Sequence, residues 1–563
     1  MERQYIGARY VPKFWDNGSG STEWLPNIPY ESLTVVTYMN NSYTSKVPVP
    51  ATNIAPNVDT EHWALTGAYN SQVEQYRQDV EGLINNMSVV NACYPPNGYI
   101  AVSENNEDNS NALQSLLNNF GIVYLPNGNY KMRNTISVNR ESILFGQGTI
   151  VREAGNRYGD IIFVEDCNFT VSGITFNDNG STLPIFNSND YDTDERYACI
   201  YCLRGGVDVH KCKFTNVYTR AVMCYSNNNM IVCENIMDTN ARNQGYVGEF
   251  VHIQSCAGTL SICNNKMICP DYTDSKFGMC GIYVAGFNYG AGIIFDNIMG
   301  TVGRDNTFHH RLLPIDFYED VHNVTVRGNN IKSAHGFIRM HGCDNVTVEN
   351  NVVKKESDYM HPGGDPGIFI YTNNGFAINT KNIKVSNNYI DMNGTQSIFG
   401  ISGPNLENIV IENNIIKISH GDTGTDYFAI RDNASNVTIR NNSIYTEGSN
   451  GHTFAHFYGN HNKITIDNNN VKNVQLLYMV ENNGVGENIV ITDNYFDAIN
   501  PTPINCTINN SIVRGNAFID GNVTVNGSNT IVTENIINPN YVYNGNAIAV
   551  NNVRNGELYP PQG

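Results

Sequence analysis

The sequence predicts an all-β chain that is built mainly as a parallel β-solenoid. A short phrase recurs along most of its 563 residues: two or three apolar or β-branched residues, a polar residue, then Asn and a β-branched or aromatic residue. Clear copies occupy residues 345–352, 382–389, 408–415, 436–443 and 488–495. The copies lie about 28 residues apart, which suits one solenoid coil and a loop of variable length.

The second Asn of each phrase occupies a fixed point in its coil. The phrase recurs between residues 174 and 535 often enough to predict about 14 coils. Asn tolerates the left-handed backbone conformation of a tight bend, and stacked Asn side chains can hydrogen-bond from one coil to the next. We therefore expect one column of Asn residues both to form the left-handed bend and to hydrogen-bond from coil to coil.

The composition limits the possible partners. The chain carries 53 acidic and 34 basic residues, a net charge of −19. This charge argues against a nucleic acid partner, since phosphate binding needs a basic face, and less firmly against an anionic glycan, because local patches can oppose the net charge. No run of 18 apolar residues is present, and the first residues lack the apolar core of a signal peptide. We expect no membrane insertion.

Ten of the 13 cysteines lie between Cys167 and Cys280, and Cys233 and Cys263 occupy the same place in successive phrases. Disulfide frameworks belong to short secreted chains, and no paired metal-ligand spacing occurs. Free Cys behaves as a small apolar residue in protein cores. We therefore expect buried, stacked cysteines, and neither a metal nor a cofactor.

Residues 1–66 predict a small separate β-module, because they contain all three tryptophans together with turn-forming Gly and Pro. The tryptophans suit the minimal core of a small domain, and they also suit a sugar-binding or docking surface. Both interpretations remain open at this stage.

Residues 67–91 predict a helical neck. Val73, Tyr76, Val80, Leu83 and Met87 follow heptad spacing between polar flanks. A heptad pattern of this length is too short to form a stable coiled coil alone, so the attached domains would have to stabilise it. It predicts either a neck where several chains associate or an amphipathic helix packed on the solenoid end.

Residues 108–150 carry a specific resemblance. An amphipathic helix over 108–117 is followed by "Gly-Ile-Val-Tyr-Leu-Pro-Asn-Gly-Asn-Tyr" at 121–130 and "Ile-Leu-Phe-Gly-Gln-Gly-Thr-Ile" at 143–150. This order resembles the opening of the pectate-lyase superfamily of right-handed β-helices, where the helix caps the end of the solenoid. The resemblance implies a right-handed β-helix over residues 92–540 and a C-terminal tail over 541–563.

The N-terminal region resembles a narrower group. "Gly-Ala-Arg-Tyr-Val-Pro-Lys-Phe" at 7–14 and "His-Trp-Ala-Leu-Thr-Gly" at 62–67 are similar to the N-terminal module of tail proteins in phages of Gram-positive bacteria. Together with the neck and the β-helix, the chain resembles phage tailspikes and pre-neck appendage proteins. That resemblance implies a homotrimer on the virion that attaches to other tail proteins through its first module. It also implies binding, and often cleavage, of a host surface polysaccharide outside the cell.

A second strand in each coil alternates strictly, so every other side chain faces out of the solenoid. Aligned, these strands form one continuous surface, which we call the wall. Its predicted substrate-binding residues are Tyr201, Tyr225, His252, Tyr283, Tyr318, Arg339, His341 and Tyr371. Aromatic rings with hydrogen-bonding groups suit the apolar faces and hydroxyls of sugars. We expect an exposed wall; the alternative is a face covered by insertions or by a neighbouring subunit.

Acid-rich insertions precede several wall strands, at residues 177–196, 271–276, 301–313 and 354–366. A glycosidase needs two carboxyl groups roughly 5–10 Å apart, one protonated and one ionised. The candidates are Asp316 on the wall, Glu249 at a strand edge, and Asp305 and Asp365 in the insertions. The polygalacturonase set of Asn-Thr-Asp, Asp-Asp and Gly-His-Gly is missing, as is a cluster of lyase-type cations beside calcium-binding acids. The sequence favours a hydrolase over a lyase, with a non-catalytic adhesin or a free bacterial polysaccharide lyase or hydrolase as alternatives.

Overall fold

A computed structural model gives the conformation of most of the chain, which divides into two units, Met1–Val89 and Val90–Gly563. The residues that the structure describes are 13–16, 21–39, 41–67, 89–155, 159–182, 198–218, 220–225, 229–238, 249–256, 258–268, 281–285, 299–304, 307–311, 314–333, 336–355, 367–372, 379–392, 397–418, 426–446, 452–474, 476–498, 502–518, 523–537, 543–544, 546–554 and 556–559. The predicted neck helix lies outside these residues. The domain boundaries given above stay predictions.

The first unit contains a four-stranded sheet. Its strands, in spatial order, are Lys13–Phe14, Thr34–Tyr38, Asn41–Ser45 and Trp63–Gly67, with a parallel first pair and antiparallel pairs thereafter. Trp24 and Trp63 are buried in its core beside Tyr30 and Tyr43, and Trp15 packs at the margin of the same cluster. Trp24 and Trp63 therefore serve as core residues of a small domain rather than as exposed sugar platforms.

The second unit begins its solenoid with helix α1, Ser110–Phe120, which packs on the strands of the first coils. Ala112, Leu113, Leu116 and Leu117 form its buried face, with the spacing of an amphipathic helix. The helix ends at Gly121, whose φ of 78° is a conformation that glycine adopts at little cost. No helix among the described residues has the length and apolar character needed to cross a bilayer.

Each coil contributes a strand to the wall, a strand to a second sheet and a strand to a third sheet, in that chain order. The wall strands are Ile136–Val138, Ile162–Glu165, Ala198–Leu203, Arg220–Tyr225, Val251–Gln254, Ile282–Ala285, Ile368–Tyr371, Ser397–Ser402, Asp426–Arg431, His452–Tyr458, Val523–Asn526 and Tyr543–Asn544. Four longer strands turn the corner and belong to the wall and the second sheet: Ile315–Arg327, Ile338–Glu349, Leu476–Glu487 and Thr502–Asn509.

The other two sheets complete the coils. The second sheet adds Val89–Asn91, Ile122–Leu125, Ser142–Gly146, Asn168–Ser172, Gly206–His210, Asn229–Cys233, Thr259–Cys263, Met299–Arg304, Lys381–Ser386, Glu407–Glu412, Ser435–Arg440, His461–Asp467, Val490–Thr492, Ile512–Arg514, Ile531–Thr533 and Ile548–Val550. The third sheet is Asn129–Met132, Thr149–Arg152, Thr175–Asn177, Lys213–Thr215, Ile236–Asp238, Lys266–Ile268, Thr307–Arg311, Asn330–Ser333, Val352–Lys355, Tyr389–Asp391, Ile415–Ile418, Ser443–Thr446, Asn470–Val474, Tyr495–Ala498, Ala517–Phe518, Ile536–Ile537, Asn552–Arg554 and Glu557–Tyr559. Pairing between successive coils is parallel in all three sheets, and the final pair of the third sheet is antiparallel.

The predicted asparagine ladder is present. Its members are Asn235, Asn265, Asn329, Asn351, Asn388, Asn414, Asn442, Asn469, Asn494, Asn516, Asn535 and Asn552. At Asn414, Nδ2 donates to Oδ1 of Asn442 and to the carbonyl of Val385, each at 3.0 Å, while Oδ1 accepts from both nitrogens of Asn388. Each ladder amide therefore satisfies buried backbone groups as well as its neighbour in the ladder.

The ladder residues do not adopt the left-handed backbone conformation, so one part of the prediction was wrong. That conformation belongs to the residue just before the ladder position, such as Asn387, Asn413 and Asn441, and to the first Asn of the phrase, such as Asn408 and Asn436. The ladder amide must face inward with its hydrogen bonds in line, while the bend itself is made one residue earlier. Two neighbouring positions therefore divide the two tasks.

The cysteines depart from expectation at one place. Cys233 and Cys263 pair in register on adjacent strands of the second sheet and form a disulfide with a Cα–Cα distance of 4.7 Å. Parallel coils bring residues at equal positions to this separation, so the shared position noted in the sequence was itself the signal for a bond. Cys93 and Cys167 are half-buried, and the remaining described cysteines are buried and free, as predicted.

We expect Asn414→Ala to lower the free energy of unfolding by about 3 kcal/mol, because it removes the Oδ1 acceptor of both Asn388 nitrogens and the Nδ2 donor to the Val385 carbonyl and to Asn442. Thermal and denaturant unfolding measure this loss. Asn462→Ala is the matched control, since Asn462 is exposed and accepts one surface hydrogen bond, from Asn488. Equal losses in the two variants would show that the ladder does not contribute more than an ordinary surface amide.

Candidate functional site

The register of the wall confirms the predicted alignment of its residues. Tyr283 pairs with Asp316, and Asp316 pairs with Arg339. The first outward column contains Tyr201, Met223, His252, Tyr283, Asp316, Arg339 and Phe369. The second contains Leu203, Tyr225, Gln254, Ala285, Tyr318, His341 and Tyr371. The sequence analysis missed Phe369, although the same alternation places it outward.

Asp316 and Arg339 form a two-point ion pair across adjacent coils. Arg339 Nε donates to Asp316 Oδ1 at 2.9 Å, and its Nη2 donates to Oδ2. Asp316 is 1% exposed, whereas the side chain of Arg339 is 35% exposed. The guanidinium therefore lies over the carboxylate and presents its outer edge to solvent. Such a fork is rigid because both hydrogen bonds fix its plane.

Glu249 forms the other charged centre of the wall. Its Oε2 accepts from Arg220 Nε at 2.7 Å and lies 3.4 Å from Nδ1 of His252. Burial by itself raises the pKa of Glu249, but the charge of Arg220, together with the contact from His252, holds that pKa well below its usual range. The His252 ring stacks on Tyr283 with 4.8 Å between centroids. Contacts thus run from Glu249 through His252 to Tyr283, which is the register neighbour of Asp316.

These geometries restrict the chemistry of the two carboxylates. Glu249 lies two coils from Asp316, about 10 Å along the solenoid axis, and three residues before the position that aligns with Asp316, so the spacing is at or beyond the upper limit for an inverting pair. The lowered pKa of Glu249 makes it an ionised group rather than a proton donor. Glu249 therefore does not serve as the general acid, and that role falls to another residue.

Other carboxyl groups of the chain are candidates for the general acid. Asp305 and Asp365 lie outside the described residues, so their parts stay predictions. Glu319 follows Asp316 in the same coil, and burial followed by the charge of Asp320 raises its pKa. Burial raises the pKa of Asp160 to about 7, but Asp160 lies about five coils, or roughly 24 Å, from Asp316. Glu319 joins the candidates because it lies in the same coil as Asp316 and its raised pKa favours the protonated form.

An aromatic cluster continues the wall beyond Arg339. The His341 ring lies 5.5 Å from Tyr318, 5.0 Å from Tyr371 and 5.5 Å from Phe369, and Phe369 stacks on Tyr371 at 5.3 Å. Burial, reinforced by the charge of Arg339, lowers the pKa of His341 to about 3. His341 is therefore neutral at physiological pH and acts as an aromatic partner of its neighbours.

The expectation of a fully exposed wall was wrong for five residues. Asp316, Glu249, His252, Tyr201 and His341 are each less than 9% exposed. Neighbouring rings and guanidinium groups lie on them, because equal positions in adjacent coils are only about 4.8 Å apart. The half-exposed members of the wall are Tyr225, Tyr283, Tyr318, Arg339 and Tyr371, and Phe369 shares this exposure. A ligand would meet these side chains first.

Comparison with known proteins agrees with the architecture. The family model for the right-handed beta helix region matches residues 270–444. The chain folds as a right-handed parallel β-helix. The tailspike protein of E. coli bacteriophage HK620, solved in complex with a pentasaccharide, is 12% identical, with 77% of each chain covered and a TM-score of 0.40. PfbA, a surface adhesin of Streptococcus pneumoniae, is 13% identical over 84% of this chain and 96% of that one, with a TM-score of 0.35. No curated protein matches the sequence.

The neutral histidines of the wall predict a loss of stability in acid. His341 has a folded pKa of about 3 against an ordinary value of 6.5. Between these values the unfolded chain binds a proton that the folded chain does not, so stability is complete above about pH 6.5 and falls as the pH is lowered. His252, whose pKa is also lowered by burial, adds in the same direction.

We therefore expect His341→Phe to flatten the dependence of the thermal midpoint on pH between about pH 7 and pH 4. His210→Phe is the control, since His210 is one-third exposed and hydrogen-bonds Asp208 on the second sheet. An unchanged slope in His341→Phe would contradict the assignment of a neutral, buried ring.

Proposed function

We propose that the chain is a phage tailspike or tail appendage whose wall binds a bacterial surface polysaccharide. The observation that carries the proposal is the continuous wall of half-exposed Tyr283, Tyr318, Phe369 and Tyr371 around the Arg339 guanidinium. Aromatic faces stack on the apolar faces of sugars, and a guanidinium donates to their oxygens. The resemblance of the N-terminal module to phage tail proteins supports the virion context.

The wall is also preorganised for binding. His252 holds Tyr283 by stacking, Phe369 holds Tyr371, and the Asp316 carboxylate fixes Arg339. Groups that are already ordered lose little conformational freedom when a ligand arrives, so more of the contact energy appears as affinity. This arrangement suits a long, repetitive ligand that lies along the coils.

The proposal also includes hydrolysis of the bound glycan. Asp316 would act as the ionised carboxylate, as base or nucleophile, beside the reacting sugar. The proton donor would come from Glu319, Asp305 or Asp365, because the lowered pKa of Glu249 excludes that group as an acid. Glu249 would instead hold Arg220 and His252 in place.

A receptor-binding adhesin without chemistry is the second candidate. The two-point pairing of Asp316 with Arg339 favours it, since a carboxylate engaged by a guanidinium is a weaker base and nucleophile than a solvated one. The two candidates share the binding surface and differ in whether the glycan is cut.

Asp316→Asn separates the candidates. If the chain is a hydrolase, the substitution abolishes release of new reducing ends from host wall polysaccharide, because it removes ionisation with almost no change in volume. Binding should be weakened but not lost, because Arg339 loses its carboxylate partner while the aromatic contacts of the wall remain. Retained cleavage would exclude Asp316 from catalysis. Binding by the wild-type chain without any cleavage would assign the adhesin role.

Tyr283→Ala should weaken glycan binding by about 1–3 kcal/mol through loss of a stacking face. Calorimetry or biolayer interferometry with the same polysaccharide measures the change. Tyr495→Ala is the matched control, since Tyr495 is 37% exposed on the third sheet, away from the wall. Equal weakening by both variants would exclude the wall as the binding surface.

The homotrimer implied by the resemblance belongs to the same proposal. We expect sedimentation equilibrium of the full chain to give three times the monomer mass of 62.6 kDa at micromolar concentration. A stable monomer would instead favour a free bacterial polysaccharide lyase or hydrolase, since such an enzyme needs no partner to work.

A further inference from the structure

The wall contains a second cluster of polar and aromatic side chains, three to four coils beyond Arg339. It consists of Asp426, Arg431, His456 and Tyr458. The Tyr458 hydroxyl donates to Asp426 Oδ2 at 2.7 Å, and His456 Nδ1 lies 3.4 Å from the same oxygen. The His456 and Tyr458 rings stack with 3.6 Å between centroids. Asp426 thus fixes the orientation of both rings.

Arg431 lies over this platform. Its guanidinium carbon is 4.7 Å from the centroid of the Tyr458 ring, within the range of a cation–π contact. Its Nε is buried and has no hydrogen-bond acceptor, and within the described part of the chain no carboxylate forms an ion pair with it. Arg220 and Arg339, the other arginines of the wall, each donate to a carboxylate.

Arg431 is half-buried, and the described residues on one side of it are small. At its own position and the neighbouring outward position, the preceding strand of the wall carries Ser402 and Gly400, which are too short to cover the guanidinium. The nearest acidic groups in sequence are engaged elsewhere: Asp432 accepts from Ser402 Oγ, and Asp426 accepts from Tyr458. Among the described residues, no carboxylate forms an ion pair with the guanidinium, which lies against Tyr458 and has a buried Nε donor without an acceptor.

An arginine that forms no ion pair and lies against an aromatic ring is suited to binding an anionic group. Its planar fork matches the two oxygens of a carboxylate or phosphate group, and such charged hydrogen bonds are stronger than neutral ones. The Tyr458 face restrains the plane of the fork in advance. A neutral sugar hydroxyl would accept a hydrogen bond from Nε, but it would leave the positive charge of the guanidinium without a counter-ion.

We infer that Arg431 binds an anionic group, a carboxylate or a phosphate, carried by the glycan on the wall. The inference rests on the proposed function and adds the class of substrate, an acidic polysaccharide. The net charge of −19 opposes the binding of an acidic glycan in general, so a cation without an ion pair among the described residues of the wall would fix the position at which the acidic group is accepted. Arg431 lies about 14 Å along the axis from Arg339, which sets the stretch of glycan held between them.

The test uses polysaccharide extracted from a bacterial strain that the full-length protein labels. We expect Arg431→Gln to weaken binding about 10- to 100-fold, and Arg431→Lys to restore part of the loss, because it keeps the charge but not the fork. Arg440→Gln is the matched control: it removes an arginine of the same coil that is paired with Glu412 on the second sheet, and we expect unchanged affinity. Thermal midpoints of all variants report whether they fold.

Two chemical treatments of the same polysaccharide identify the anion. Reduction of its carboxyl groups to alcohols should abolish the difference between the wild-type chain and Arg431→Gln if the group is a uronate, and removal of phosphate should do so if it is a phosphate. The inference is overturned if Arg431→Gln binds like the wild type, or if neither treatment removes the difference. If the protein labels no strain and binds no wall polysaccharide, the proposed function fails, and the inference fails with it.

Discussion

The structure depends on the parallel register between successive coils. Parallel hydrogen bonding places each residue about 4.8 Å from the residue at the same position in the next coil, and the buried asparagine ladder fixes that position at one bend. A slip of one residue would turn every wall side chain inward and break the ladder at once. The same register therefore determines the core, the disulfide between Cys233 and Cys263, and the composition of the wall.

Stacking at this distance explains why charged groups of the wall are buried without a strong energetic penalty. A carboxylate removed from water is costly unless a cation and hydrogen bonds replace its hydration. Arg339 does this for Asp316, and Arg220 does it for Glu249, in each case from an adjacent coil. The pairs are consequences of in-register stacking, and they stiffen the surface that a ligand would meet.

The wall has two regions with different electrostatic character. Around Asp316 and Arg339 the charges cancel, and half-exposed rings provide the contact area. Around Arg431 the described residues supply no ion pair to cancel the charge, and Tyr458 supports the guanidinium from one side. A linear polymer lying along the axis would meet both regions, the first through stacking and the second through its charge. An extended solenoid provides such a surface because each coil adds one further row of side chains.

The sequence by itself determined the repeat, the number of residues per coil, the asparagine ladder and the outward parity of the wall, because these follow from local periodicity. It also predicted correctly that Tyr283, Asp316 and Arg339 are neighbours, since residues at equal positions in successive parallel coils lie next to one another. Only the tertiary structure decided what depends on side-chain placement across coils: the burial of Asp316, the engagement of Glu249 by Arg220, and the bond between Cys233 and Cys263. The sequence places His456 and Tyr458 on the outward side of the wall, but it did not show their contacts with Asp426 and Arg431, which lie on the preceding coil and depend on the rotamer of each side chain. Periodicity predicts the position of a residue in its coil. Side-chain contacts and ion pairs depend in addition on the conformation of each side chain.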